Sequence, residues 1–126
     1  MVVPAKKSIL CVDDSLDNCD LLSFILEDMG YEVKTAQSVT EGLQLARRGE
    51  FKLYLVDLSF SDGCGLDLIE KIRKLDRSAP IVVCSGNARQ SVQDEAMRVG
   101  VRAFLTKPID IDRFVRTIAE LLESYE

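Results

Sequence analysis

Two aspartates, Asp13 and Asp14, stand side by side directly after the apolar run Ile9–Val12, and Asp57 stands directly after the run Leu53–Val56. Ser85 closes a third such run, Ile81–Cys84, and Lys107, followed by Pro108, lies just beyond a fourth, Ala103–Leu105. Taken singly, each has an ordinary explanation. A strand-end aspartate caps a turn or complements a helix dipole, a serine there bonds the loop, and a lysine is a solvated charge. Two adjacent carboxylates with a third due nearby are better explained by a cation. Oxygen-only ligands favour a hard ion, Mg²⁺ first and Mn²⁺ second. A close pair of like charges costs about 4 kcal/mol at an effective dielectric of about 20, so a cluster of three needs an offset. Three aspartates, one divalent cation and one lysine sum to zero formal charge, once the ion's own charge is counted.

That sum matters only if the elements bring these residues together. The four apolar runs are apolar on both faces, as expected of strands buried inside a parallel sheet. Tyr31–Ala36 instead alternates in part, which suits an edge strand. Between the strands lie helical patterns. Leu21, Leu22, Ile25, Leu26 and Met29 form the inner face of the first, with Gly30 as its C-terminal cap,. Ser38 and Glu41 make a capping box for a second that turns Val39, Leu43 and Ala46 inward and closes at Gly49,. Leu66, Ile69, Ile72 and Leu75 mark a third, and Val92, Ala96 and Val99, ended by Gly100, mark a fourth. Asp110 caps a fifth, with Phe114, Ile118, Leu121 and Leu122 inward,. Five strand–helix units in strict alternation predict an α/β fold, a doubly wound, flavodoxin-like three-layer sandwich with parallel strand order 2-1-3-4-5. In such a sheet, ligands bind beyond the carboxyl ends of the strands near the switch point. The residues after strands one, three, four and five are therefore expected to converge.

The bulk composition narrows the function classes. A chain of 126 residues fits one domain, 1–126 with a core of about 7–124,. It is long enough for a real core without disulfide or metal staples. Hydrophobic residues are 47% and charged residues 29% of the chain, the balance of a globular protein,. The net charge of −5 argues against direct nucleic-acid binding and against a polybasic membrane anchor,. No apolar run reaches membrane-spanning length and the N-terminal residues do not resemble a secretory signal, so a cytoplasmic location is expected. None of the four cysteines, Cys11, Cys19, Cys64 and Cys84, has C-x-x-C spacing, and buried reduced thiols are expected,. There are no histidines, so neither a His-based triad nor a phosphohistidine lies on this chain,.

The segments Ile9–Ser15, Val56–Leu58, Ile81–Gly86 and Phe104–Pro108, in this order on these strand ends, resemble the response-regulator receiver domain of two-component signalling. The resemblance covers nearly the whole chain. It implies that Asp57 accepts a phosphoryl group from a histidine kinase or phosphotransfer protein, or from a small donor such as acetyl phosphate. It implies a Mg²⁺ held by Asp13, Asp14, Asp57 and the backbone carbonyl of Ser59, with Lys107 neutralising the transferring group. Ser85 would bond the attached phosphoryl oxygen and Phe104 would rotate inward. That motion would switch the surface of helix four, strand five and helix five, a surface also available for a homodimer. Ser59 and Asn87 occupy positions that tune dephosphorylation in the family, and Lys107–Pro108 is expected to be cis. The resemblance departs at Ser61, where the family commonly has proline, and a more mobile loop is expected there. Beyond its own aspartyl phosphorylation and dephosphorylation, no catalysis is expected. Two readings compete: an interaction module with this fold that is never phosphorylated, and an enzyme on a related fold. No G-x-G-x-x-G follows the first strand, which disfavours a dinucleotide enzyme,. Ser59 stands where aspartyl phosphatases carry a second aspartate. The chain ends at Glu126, soon after the fifth helix, so either a single-domain regulator or a fragment of a longer one is expected.

Overall fold

The computed structural model describes residues 6–123. Five strands, β1 (Ser8–Val12), β2 (Glu32–Ala36), β3 (Leu53–Val56), β4 (Ile81–Ser85) and β5 (Ala103–Thr106), form one sheet. They alternate with helices α1 (Leu16–Asp28), α2 (Val39–Arg48), α3 (Gly65–Leu75), α4 (Gln90–Arg98) and α5 (Ile111–Glu123). The sheet is wholly parallel in the order β2-β1-β3-β4-β5. The expected doubly wound order therefore holds.

Strand side chains alternate between the two sheet faces. Leu10, Val12, Tyr54, Val56, Ile81 and Val83 pack with α2, α3 and α4 through Ala46, Leu68, Ile69, Ile72 and Ala96. Ile9, Cys11, Leu53, Leu55, Val82 and Cys84 pack with α1 and α5 through Cys19, Leu22, Leu26, Phe114, Ile118 and Leu122. Both faces are covered, which is why the central strands read as unbroken apolar runs. The edge strand β2 alternates in exposure, as its sequence suggested. Ser38 caps α2 by accepting the Glu41 amide at 3.0 Å, while Glu41 Oε1 accepts the Gln37 amide at 3.0 Å. Asp110 accepts the Arg113 amide at 3.1 Å and so caps α5.

Register carries the site residues to one edge. Val12 pairs with Ala36 and Val56, the Asp13 amide donates to the Ala36 carbonyl at 3.0 Å, and the Asp57 amide donates to the Val12 carbonyl at 2.9 Å. Ser85 pairs with Thr106, and the Lys107 amide donates to the Ser85 carbonyl at 2.8 Å. The strand ends are thus flush where the charged residues emerge.

Three expectations are corrected. Leu21 is 49% exposed, and Cys19, Leu22 and Leu26 line the inner face of α1 instead, because Leu21 falls on the flank of that stripe. Leu75 is also 49% exposed; it is the last residue of α3, and Leu68 takes the inward place. Cys11, Cys19 and Cys84 are buried free thiols, but Cys64 is exposed, at the N-cap of α3 and outside the apolar runs. A short antiparallel hairpin, Ser59–Phe60 against Gly63–Cys64, was not read from the sequence.

Candidate functional site

Asp13 and Asp57 leave adjacent central strands, and Asp14 follows at the turn into α1. One carboxylate oxygen from each of Asp13, Asp14 and Asp57 lies within 4.8 Å of the others. Asp13 and Asp57 are buried, at 3% and 7% exposure, whereas Asp14 is open to solvent. Lys107 reaches across from β5, its Nζ lying 2.8 Å from Asp13 Oδ2 and 3.0 Å from Asp57 Oδ2. Burial opposes the Lys107 charge, but the hydrogen bonds and charges of Asp13 and Asp57 outweigh it and hold the ammonium above the ordinary lysine value.

The remaining carboxylate oxygens are held by the backbone. Asp57 Oδ1 accepts the Leu58 amide at 2.6 Å, and Asp13 Oδ1 accepts the Ser15 amide at 2.9 Å. Asn18 Nδ2 adds a long contact of 3.5 Å to Asp13 Oδ2. Among the described residues Asp14 makes no ion pair. Three carboxylates against one ammonium leave the cluster two charges negative. An all-oxygen donor set with that residual charge fits one hard divalent cation.

Below the carboxylates the surroundings are apolar and thiol-lined. Burial pushes the Cys84 thiol up to about 12, with Lys107 drawing it down and Asp13 and Asp57 raising it further. Cys19 Sγ lies 3.4 Å from the Asp13 carbonyl, to which it donates. On the α3 side, Gly65 is packed against Asp57. A Cβ at Gly65 would sit 2.1 Å from the Asp57 carbonyl oxygen and 2.6 Å from the Leu58 Cα. The Gly65 amide donates to the Leu58 carbonyl at 3.0 Å, closing the hairpin that follows Asp57.

A family model of the response regulator receiver domain matches residues 9–119. The chain belongs to the response-regulator receiver family. Among curated relatives of this receiver, an uncharacterized 14.6 kDa protein from Leptolyngbya boryana is 35% identical over 118 residues, covering 92% of this chain and 90% of that protein. The response regulator protein PilR of Pseudomonas aeruginosa is 31% identical over 94% of this chain, which spans only 26% of PilR. Among solved structures, a CheY-like receiver domain protein from Methanospirillum hungatei superposes with a TM-score of 0.91 at 32% identity, covering 94% of this chain and 95% of that one. A Burkholderia pseudomallei response regulator, solved with a phosphorylated aspartic acid, a calcium ion and citrate, gives 0.83 at 31% identity over 93% of this chain and 66% of its own.

The other residues singled out in this receiver are placed as follows. Ser85 ends β4 at 1% exposure, and its Oγ accepts the Asn87 amide at 3.0 Å. Asn87 is half-buried and turns its side-chain oxygen to Arg89, accepting its backbone amide at 3.2 Å and its Nε at 3.3 Å. It therefore faces the start of α4 and makes no bond to the aspartates. Phe104 pairs in register with Val83 and packs, half-buried, against the α2–α4 core. Ser59 opens the hairpin two residues after Asp57 and is exposed. Lys107–Pro108 is cis, as the resemblance implied. Among the described residues no helix is long and apolar enough to cross a membrane.

Asp62 and Gly65 were missed in reading the sequence. Asp62-Gly63 is a recognisable turn signal, but nothing in the local pattern says where its carboxylate reaches. Gly65 reads as a loop glycine until the closeness of the Asp57 backbone is known.

Proposed function

We propose that Asp57 accepts a phosphoryl group from a partner phosphohistidine and that this charge switches the receiver between two surfaces. The observation that carries the reading is the shared lysine: Lys107 bridges buried Asp13 and Asp57 while Asp14, beside them, makes no ion pair among the described residues. An Asp57 carboxylate oxygen would form the new P–O bond as the P–N bond to the donor imidazole breaks, its electron pair returning to that ring. Lys107, already on Asp57 Oδ2, would remain beside the charge that develops on the phosphoryl oxygens,. Asp13, Asp14, Asp57 and the Ser59 carbonyl would hold Mg²⁺, with Mn²⁺ as a substitute. The ion's chemistry is to neutralise the transferring group. The phosphorylated aspartate and bound calcium in the Burkholderia relative support this assignment for Asp57 and its neighbours.

The output in this reading is electrostatic. The modification replaces the single negative charge of the carboxylate with a phosphoryl group carrying roughly −1.5 to −2 and strong acceptors. Ser85 Oγ would leave the Asn87 amide to bond a phosphoryl oxygen, and Phe104 would turn into the space released. This would reshape the α4–β5–α5 surface, where an effector or a second copy of the chain would bind. Ser59 and Asn87 would set the lifetime of the acyl phosphate. The reading carries with it a cytoplasmic location and a histidine kinase or phosphotransfer protein as donor.

Incubation with Mg²⁺ and acetyl phosphate, followed by intact-mass measurement, tests the proposal directly. One phosphoryl adduct is expected on the parent and none on Asp57→Asn. No Asp57-dependent adduct from any donor, kinase included, would establish the unphosphorylated interaction module instead.

A further inference from the structure

The hairpin after Asp57 reaches away from the site and ends on α2. At its tip, Asp62 Oδ1 accepts the Val39 amide at 3.0 Å, and Oδ2 accepts the Thr40 amide at 3.1 Å and the Thr40 hydroxyl at 2.9 Å. These two amides are among the donors that a helix start leaves without intrahelical partners. The next one, from Glu41, goes to Ser38 Oγ at 3.0 Å. Helix α2 is therefore capped twice, by its own Ser38 and by an aspartate some twenty residues away in the phosphorylation loop. The bonds from Val39 and Thr40 hold the Asp62 carboxyl below the usual range, so it is ionised in neutral solution. It faces the positive end of the helix dipole.

The other end of the hairpin is equally fixed. Gly65 donates to the Leu58 carbonyl, and no side chain fits between Gly65 and the Asp57 backbone. Ser61 lies at the turn where the resemblance expects a proline, whose ring would restrict the chain. Here the restraint comes from the carboxylate of the next residue.

We propose that Asp62 is a positioning residue for the chemistry at Asp57, clamping the hairpin to α2 so that Ser59 and the Asp57–Leu58 turn hold their places. The inference rests on the proposed function for the metal and the phosphoryl group, and on the hydrogen bonds alone for the clamp. Because coupling is reciprocal, an ion that orders the hairpin also secures the first turn of α2. The site is thereby linked to a helix outside the α4–β5–α5 surface.

The test compares the 126-residue parent chain with Asp62→Ala, Asp62→Asn and Ser38→Ala by Mg²⁺ titration calorimetry and by amide exchange in metal-free buffer. Asp62→Ala is expected to weaken Mg²⁺ binding about tenfold, the scale on which groups orienting metal ligands act. It is also expected to speed exchange of the Gly65 amide. Asp62→Asn keeps an acceptor but loses the charge, and falls between Asp62→Ala and the parent. Ser38→Ala removes a cap from the same helix without removing a hairpin bond, and is expected to change both readouts less than Asp62→Ala does,. Mg²⁺ affinity unaltered in Asp62→Ala, or equally weakened in Ser38→Ala, overturns the positioning role. A parent that binds no Mg²⁺ defeats the proposed function instead. Gly65 exchange still decides the clamp in that case: unchanged exchange in Asp62→Ala removes it, and faster exchange retains it.

Discussion

Asp13 and Asp57 divide one lysine between them, and Asp14, beside both, has no share of it. The electrostatic roles of the three carboxylates therefore differ. Asp14 adds repulsion that water partly screens, worth about 1 kcal/mol for a pair near 4 Å in high dielectric. Asp14→Asn is expected to stabilise the metal-free protein by about that amount in urea melts with chelator present. An unchanged or lower midpoint would show that Asp14 is stabilised by something other than a cation. Cys84 gives a second residue-level expectation. Its thiol titrates near 9.0 when unperturbed and is pushed up to about 12 by burial first, with opposing contributions from Lys107 and the two aspartates. A raised native value means that the folded state holds the proton more tightly. The stability linked to the neutral thiol is then complete below pH 9.0 and is lost as pH rises toward about 12,. Across that window the urea midpoint of the parent should fall more steeply than that of Cys84→Ala, and parallel curves would refute the assignment.

The start of α3 works as an abutment for β3, because the Gly65 Cα lies against the Asp57 carbonyl. Gly65→Ala forces a Cβ to 2.1 Å from that oxygen, so backbone must move rather than a flexible side chain. A loss of about 2–3 kcal/mol in urea unfolding is expected, the upper part of the range for overpacked sites. Mg²⁺ binding should weaken with it; retention of both properties would mean that the α3 start relaxes freely. Much at this scale was legible in the sequence. Four apolar runs announced the buried strands, and strict alternation with helices left few topologies, so the convergence of Asp13, Asp57, Ser85 and Lys107 followed from strand order alone. Helix faces were less legible at their margins. Leu21 and Leu75 satisfy apolar spacing, yet burial depends on where the sheet ends, which periodicity does not encode. The hairpin and the reach of Asp62 to Val39 and Thr40 were hidden for a related reason. They pair two short loops distant in sequence, with no repeating pattern in either. The cap that Asp62 supplies also masks a gap: α2 already has a local capping box, so nothing in its sequence asks for another partner.

Over the whole molecule the charge is unevenly disposed. The chain carries −5 overall, and the strand-end cluster alone accounts for two of those charges after Lys107 is counted. Far from the cluster, α5 is tied to the residues that precede β1 and β2, at the amino ends of the strands: Lys7 Nζ donates to the Leu122 carbonyl, and the Tyr31 hydroxyl donates to Glu123 Oε2 at 2.6 Å. Repulsion at the carboxyl ends of the strands is thus borne by a fold closed elsewhere, and an ion bound at the cluster is expected to stabilise it. A cation binding the folded chain alone stabilises it by about 2.7 kcal/mol at a hundredfold excess over its dissociation constant. For a chain of this length that corresponds to a rise in Tm of about 10 °C. Thermal melts across a Mg²⁺ series should show that rise in the parent and lose it in Asp14→Asn and Asp57→Asn. The gain should shrink as added salt screens the exposed Asp14. An equal rise in all three proteins would place the ion elsewhere on the acidic surface. A rise abolished in Asp57→Asn but kept in Asp14→Asn would assign the binding energy to the two buried carboxylates that share Lys107, leaving the exposed one to the solvent.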